Sequence, residues 1–281
     1  YNGLKMMMGK DTLYGEGIQA LRFLIEQGID VADHKGKVEE IDVITPYLQK
    51  VTGDVKLARK IKVAVDCGNG VTGPVAMELF KRLGCEVVPL FTDIDGTFPN
   101  HHPDPSKPDN LNDLIETVKT TDVELGLAFD GDGDRLGVVT KSGEIIYPDR
   151  QIMLFAADIL ERHPGSRIIY DVKCTRRLVP WIKEHGGIPT ICRTGHSLVK
   201  AKLKETGAPF AGEMSGHLFF NDERWAGFDD GLYAGARLLE IVSRYDNPSA
   251  VLEALPTAVN TPELHIQLPE GENKRFVQRL Q

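Results

Sequence analysis

The 281-residue chain is poor in several features that would mark other protein classes. Its four cysteines, Cys67, Cys85, Cys174 and Cys192, form no CxxC pair and fall far short of the disulfide framework of a small secreted domain, so a reducing cytoplasm is the expected compartment. No apolar run approaches the roughly 20 residues that span a bilayer, and no membrane partner is expected. The chain opens on Tyr1-Asn2-Gly3 with neither a signal peptide nor an initiator methionine, and it reads as a piece of something longer. A cationic excess is also missing. The formal charge of −8 argues against a general nucleic-acid surface, which needs many Lys and Arg facing phosphates, so any anion site must be locally basic.

What is present is a globular composition, 41% hydrophobic, on a chain long enough for more than one domain. Residues 1–9 suggest an extended strand, and Ile18 to Gln27 an amphipathic helix with Ile18, Leu21, Leu24 and Ile25 on one side. A second helix is predicted near Ile41 to Val51, with Gly53 at its end. From Ile61 strands and helices alternate: strand Ile61–Val65, helix Pro74–Leu83, strand Glu86–Phe91, helix Leu111–Lys119, strand Val123–Phe129, then a hairpin of Leu136–Thr140 with Glu144–Tyr147. The order then repeats: helix Asp149–Arg162, strand Arg167–Val172, helix Arg176–His185, strand Ile188–Cys192, helix Ser197–Thr206, strands Pro209–Glu213 and Leu218–Phe220, and a long helix Gly231–Tyr245. Such alternation predicts an α/β fold of consecutive, related domains, with mainly parallel mixed sheets covered by helices. A further strand, Glu263–Leu268, and a helix start near Asn273 follow.

Chemistry concentrates in Asp130-Gly131-Asp132-Gly133-Asp134-Arg135, directly after a strand whose odd-numbered positions are all apolar. Three carboxylates on a short turn repel one another unless a cation neutralises them, and three hard oxygen ligands suit Mg²⁺. An EF-hand is excluded, because its invariant glycine would fall at Arg135 and its bidentate glutamate at Lys141. Arg135 sets a planar, permanently charged fork beside the acids, an arrangement suited to a phosphate. In the second unit Lys173, His196 and the run Glu213-Met214-Ser215-Gly216-His217 each follow the carboxyl end of a strand, the edge where open α/β sheets bind ligands. Together they form a cradle for sugar hydroxyls and proton transfer.

Two other patterns compete. Gly68-Asn69-Gly70-Val71-Thr72-Gly73, with Asp93 about 20 residues on, matches the dinucleotide fingerprint of a nicotinamide-dependent dehydrogenase; Pro74 equally suits a tight strand-to-helix crossover, and no hydride-transfer site accompanies it, so the structural reading is preferred. The loop holding His101 and His102 is stiffened by proline and read as structural or interfacial. Trp181, on a helix, is expected in the core, whereas Trp225 could be core or a sugar-stacking ring.

Leu127-Ala128-Phe129-Asp130-Gly131-Asp132-Gly133-Asp134-Arg135, Asp171-Val172-Lys173-Cys174-Thr175-Arg176-Arg177, Thr194-Gly195-His196-Ser197 and Gly212-Glu213-Met214-Ser215-Gly216-His217, in this order, resemble the α-D-phosphohexomutases, and among them the bacterial bifunctional phosphomannomutase/phosphoglucomutases. The resemblance implies a four-domain enzyme in which a phosphoserine transfers its phosphoryl group to a hexose phosphate through a hexose 1,6-bisphosphate. It further implies Mg²⁺ on Asp130, Asp132 and Asp134, with Arg135 at the phosphoserine or the transferring phosphoryl. Glu213 and Ser215 would read sugar hydroxyls, Lys173, His196 and His217 would lie nearby, and Lys5 would be a general acid/base. Residues 1–41 would then close domain 1, 42–144 form the metal-binding domain 2, 145–256 the sugar-binding domain 3, and 257–281 open domain 4. The serine loop would precede Tyr1 and the phosphate-gripping loop follow Gln281, so the 281 residues alone are expected to be inactive; a monomer is expected as well. A non-catalytic binder of sugar phosphate and Mg²⁺ is the alternative.

Overall fold

A computed structural model describes residues 6–9, 11–29, 33, 35–259, 266–269 and 271–280. The described elements are β1 (Met7–Met8), β2 (Asp11–Thr12), α1 (Glu16–Gln27), α2 (Ile44–Asp54), β3 (Lys62–Asp66), α3 (Gly73–Arg82), β4 (Glu86–Leu90), α4 (Asn112–Thr120), β5 (Leu125–Phe129) and β6 (Leu136–Thr140) in the first part of the chain. Then come α5 (Pro148–Arg162), β7 (Arg167–Asp171), α6 (Leu178–Glu184), β8 (Ile188–Cys192), α7 (His196–Thr206), β9 (Phe210–Gly212), β10 (Leu218–Phe220), α8 (Gly231–Val242), α9 (Pro248–Glu253) and α10 (Asn273–Leu280). No described helix is long and apolar enough to cross a membrane.

Two four-stranded sheets have the same topology. The first runs β4-β3-β5-β6 and the second β8-β7-β9-β10. In each, three strands are parallel and the last is antiparallel to its neighbour. The expected kinship of the two units is therefore a shared strand order as well as a shared sequence of elements. Pleating sorts each central strand between two layers: Val63 and Val65 face one core and Ala64 another, and Ile168 and Ile169 divide in the same way. The layer under α4 holds Leu114, Val118 and Ala128, and its counterpart under α7 holds Val199, Leu203 and Ala211.

The remaining layer is common to both sheets. One continuous apolar cluster includes Leu127 and Phe129 of β5, Phe155 of α5, Phe210 of β9 and Leu238 of α8. Helix α8 is buried along its whole length, and its two charged residues, Arg237 and Glu240, are paired with Asp222 and Arg224. It packs against β5 and β6, while Tyr233 meets Phe220 of β10 edge-on and Arg237 lies over the same ring. Sequence reading assigned α8 to the second unit alone, yet it serves both. Polar ties reinforce the join: Tyr233 donates to Asp54 (2.9 Å), and Arg224 contacts both Asp54 (2.8 Å) and Glu240 (2.8 Å).

Several local expectations need correction. Helix α2 starts at Ile44, where Asp42 accepts from the Ile44 and Thr45 amides, and it runs through Gly53 instead of stopping there. Glu144–Tyr147 is no strand: only the Val139–Ile145 bridge forms, because the Tyr147 carbonyl already accepts from Arg150 and Gln151 as α5 begins. Helix α8 ends at Val242, and α9, announced by Asn247-Pro248, is an additional element whose Asn247 side chain accepts from Ala250. Of the two terminal strands, only Met7–Met8 of the first is found, with residues 1–5 outside the described residues; 263–265 of the second also lie outside, and 266–268 form no strand.

Candidate functional site

Helices α3 and α4 cover opposite faces of the first sheet, so the chain reverses its winding between β3 and β5. The crevice at the carboxyl ends of those strands is where such sheets bind ligands, and the acidic loop begins there. The Asp130 carbonyl accepts from the Gly133 amide at 3.2 Å, closing a turn that needs Gly133 at φ 81°. Asp130 Oδ1 accepts from the Gly133 and Arg135 amides, both at 3.0 Å, and its Oδ2 receives Arg135 Nε at 2.7 Å. Arg135 Nη1 reaches Asp104 at 2.9 Å. The structure thus places the Arg135 fork on two carboxylates of its own unit.

One oxygen each from Asp130, Asp132 and Asp134 lie within 4.8 Å of one another, with Asp130 buried and Asp132 exposed. Burial and the Asp134 charge push Asp130 up to about 7 despite Arg135. A compact, all-oxygen, mutually repelling donor set of this kind fits a hard divalent cation such as Mg²⁺.

The equivalent crevice of the second sheet lies beyond β7 and β9. Here the Glu213 carbonyl accepts from the Gly216 amide at 3.0 Å and Gly216 has φ 101°, so the turn of the acidic loop is repeated at the matching place. Glu213 is 1% exposed; its Oε1 accepts from the Gly195 amide at 2.6 Å, and its Oε2 lies 3.3 Å from His217 Nδ1. Ser215 Oγ is 2.7 Å from the same ring nitrogen. His217 Nε2 is 3.3 Å from Asp134 of the acidic loop. Burial opposes a charged ring, but the hydrogen bonds to Asp134 and Glu213 outweigh it and raise His217 to about 9.

The two loops are stitched together. Arg135 and His217 form an antiparallel bridge, the Leu136 amide donates to the Gly216 carbonyl at 3.2 Å, and the Gly231 amide donates to the Gly133 carbonyl at 2.9 Å. Asp130, Asp132, Asp134, Arg135, Glu213, Ser215 and His217 therefore share one place. His196, at the start of α7, stacks with His217 at a ring separation of 5.8 Å. Lys173 is exposed in the loop after β7, on the same sheet edge. Lys5 lies outside the described residues.

Sequence reading missed Asp104, which holds Arg135, and Asp229, which binds Lys200 at 2.7 Å and stands 3.8 Å from His196. Both are loop acids without a motif; only their position after a strand or before a helix could have drawn notice. Asp171, which heads one of the motifs quoted for the resemblance, was given no role there; it is the last residue of β7.

The dinucleotide alternative fails on geometry. The amides of Gly68, Asn69, Gly70, Val71 and Gly73 donate to Asp66, Phe91, Cys67, Gly131 and Gly70 respectively, so five of the six amides of this loop are already engaged within the protein. A Cβ on Gly70 would lie 2.9 Å from the Gly131 carbonyl oxygen, so the space a cofactor would need is filled by the acidic loop. His101 bonds Asp66 at 3.0 Å, in line with a structural loop. Trp181, half-buried, donates to the Met153 carbonyl and packs against the core, and Trp225, 5% exposed, stacks on Tyr233 at 3.9 Å within it.

Comparison with known proteins agrees with this geometry. The family model for phosphoglucomutase/phosphomannomutase alpha/beta/alpha domain II matches residues 45–143, and that for domain III matches residues 147–259. The chain is 62% identical over 274 residues to a phosphoglucomutase of Neisseria meningitidis serogroup A, covering 97% of this chain and 59% of the relative. It is 54% identical over 282 residues to the phosphomannomutase/phosphoglucomutase of Pseudomonas aeruginosa PAO1, covering 100% of this chain and 60% of the relative. A crystal structure of a phosphoglucomutase/phosphomannomutase family protein from Burkholderia thailandensis superposes with a TM-score of 0.85 at 62% identity, over 89% of this chain and 54% of that one. Parafusin (phosphoglucomutase) from Paramecium shares the fold at a TM-score of 0.60 and 21% identity, over 74% of this chain and 40% of that one. The chain thus spans about three-fifths of the curated relatives it matches. Matched by two consecutive family models over most of its length, it belongs to the phosphoglucomutase/phosphomannomutase family.

Proposed function

We propose that the chain carries the metal and sugar sites of an isomerase that moves a phosphoryl group between the 1- and 6-positions of glucose or mannose phosphates, by way of a phosphoserine and a hexose 1,6-bisphosphate, in the cytoplasm. The observation that carries this reading is the contact of His217 with Asp134 across the bridged loops, which sets a carboxylate cluster beside a hydroxyl-reading cradle. Relatives named phosphoglucomutase and phosphomannomutase/phosphoglucomutase support the choice of hexose.

In this reading Asp130, Asp132 and Asp134 hold Mg²⁺, which when bound neutralises charge on the transferring phosphoryl group. Arg135 orients Asp130 and adds positive charge on that side. Glu213 accepts from a sugar hydroxyl. His217, held as the cation, donates through Nδ1 to Ser215 Oγ, which turns the Ser215 hydroxyl hydrogen towards a sugar oxygen. His196 and Lys173 complete the cationic side, and Lys5 is the proposed general acid/base. The division of the chain at 41/42, 144/145 and 256/257 belongs to the same proposal.

Calorimetric titration of the chain with glucose 1-phosphate in Mg²⁺ tests it, together with assay of glucose 6-phosphate formation primed by glucose 1,6-bisphosphate. Binding weakened by Glu213→Gln is expected. Binding without turnover is the expected result for these 281 residues alone, turnover abolished by Asp132→Asn would overturn the expectation that they are inactive, and no binding at millimolar ligand would defeat the proposal.

A further inference from the structure

We propose that Asp171 is a positioning residue that holds all three loops of the sugar cradle in register. It rests on the hexose-phosphate reading for the identity of the ligand, but not for the geometry. Asp171 ends β7, a central strand of the second sheet, and is fully buried. Each of the three loops at that sheet edge sends it one donor. Cys174 Sγ, beside Lys173, donates to Oδ1 at 3.0 Å; Thr194 Oγ1, two residues before His196, donates to Oδ2 at 2.8 Å; and the Met214 amide, between Glu213 and Ser215, donates to Oδ1 at 3.1 Å. Among the described residues no Lys, Arg or His pairs with this carboxylate.

A buried charge without a counter-ion is costly unless hydrogen bonds satisfy it, so Asp171 and its three donors stand or fall together. One anion therefore fixes the relative positions of Lys173, His196 and the Glu213 to His217 turn. The Gly195 amide to Glu213 bond, at 2.6 Å, then locks two of these loops to each other.

The first unit carries the same device at the matching position. Asp66 ends β3, is 1% exposed, accepts from the Gly68 amide of its own loop at 2.9 Å and contacts His101 of the loop after β4 at 3.0 Å. The Pro103 carbonyl of that same segment accepts from the Gly131 amide of the acidic loop at 3.2 Å. A buried carboxylate at the end of the first strand thus organises the ligand-bearing edge of both units, directly in the second and by way of the His101 segment in the first.

The test uses the whole chain carrying Thr194→Val, Asp171→Asn or Asp171→Ala, with three readouts: glucose 1-phosphate affinity, Mg²⁺ affinity, and hydrogen exchange of peptides covering 172–176, 193–197 and 212–217. Thr194→Val should weaken glucose 1-phosphate roughly tenfold, as expected for one lost bond to a charged acceptor, and Asp171→Ala further. Mg²⁺ affinity should stay within about twofold, because the acidic loop keeps Asp66 and Arg135. Asp171→Asn should recover much of the loss, since its carbonyl still accepts from Met214 and its amide can donate to the Thr194 oxygen. Faster exchange confined to the three loops upholds the proposal. Unchanged exchange and affinity in Thr194→Val, or a rise spread over both sheets in all three variants, overturns it. A wild-type chain that binds no glucose 1-phosphate, with faster exchange confined to the loops in the variants, would refute the hexose reading and still uphold Asp171 as the anchor.

Discussion

Gly133→Ala is expected to be among the most damaging single-methyl changes in the chain, for two separable reasons. Gly133 sits at φ 81°, where an L side chain costs about 1–2 kcal/mol. Its new Cβ would also lie 2.1 Å from Thr72 Cγ2, far inside the contact distance of two carbons. Thr72 is 6% exposed, at the mouth of α3, so it cannot swing aside freely, and overpacking of this sort costs about 1–3 kcal/mol. The single variant should therefore lose roughly 2–5 kcal/mol. Thr72→Ser removes the clashing methyl and leaves Cβ as the next atom at 3.6 Å, an ordinary contact. In that background Gly133→Ala should cost only the backbone part, about 1–2 kcal/mol. A double-mutant cycle by urea unfolding measures the difference, and Mg²⁺ titration should follow it, because the displaced turn carries Asp132 and Asp134. A cost below about 0.5 kcal/mol, or one that is equal in the two backgrounds, would refute the reasoning.

Arg135→Met should destabilise the metal-free chain by about 3–5 kcal/mol by leaving Asp130 buried and unpaired, and by clearly less in saturating Mg²⁺; denaturation with and without the ion decides, and an equal loss in both would count against a cation on Asp130. Trp225→Ala should cost about 3–5 kcal/mol with glucose 1-phosphate affinity unchanged, since its ring is stacked on Tyr233 in the core; a loss of affinity at unchanged stability would restore a sugar-stacking role. His217 is raised to about 9 from an unfolded value near 6.5, so its stabilising contribution is fully present below about pH 6.5 and is lost as pH rises through 9. Melting temperatures measured in chelator should fall over that window, and His217→Gln should flatten this part of the curve; a wild-type curve already flat there would contradict the imidazolium assignment.

The strand and helix order was legible because those signals are local. The odd-position apolar run into Asp130 and the period of α5 and α8 lie within short windows, and each found its place within a few residues. Elements failed where a neighbour intervened: Glu144–Tyr147 has the β-branched and aromatic residues of a strand, but Tyr147 gives its carbonyl to the start of α5. Gly68–Gly73 matched a dinucleotide fingerprint because glycine spacing records a tight approach without recording what approaches; here it is the acidic loop. Trp225 was ambiguous for the same reason, its polar flanks hiding a core ring.

The sequence by itself determined the kinds of chemistry available: a carboxylate cluster on a glycine turn, a second turn bearing Glu213, Ser215 and His217, and strands that present both at carboxyl ends. Residue type and spacing along one strand are sufficient for that. Only the tertiary structure decided that the two turns meet through Arg135 and His217, that α8 closes one core beneath both sheets, and that Asp66 and Asp171 tie the loops down. Those contacts join residues tens to more than a hundred positions apart, and such pairings are chosen by shared burial and hydrogen-bond completion, which no local pattern encodes.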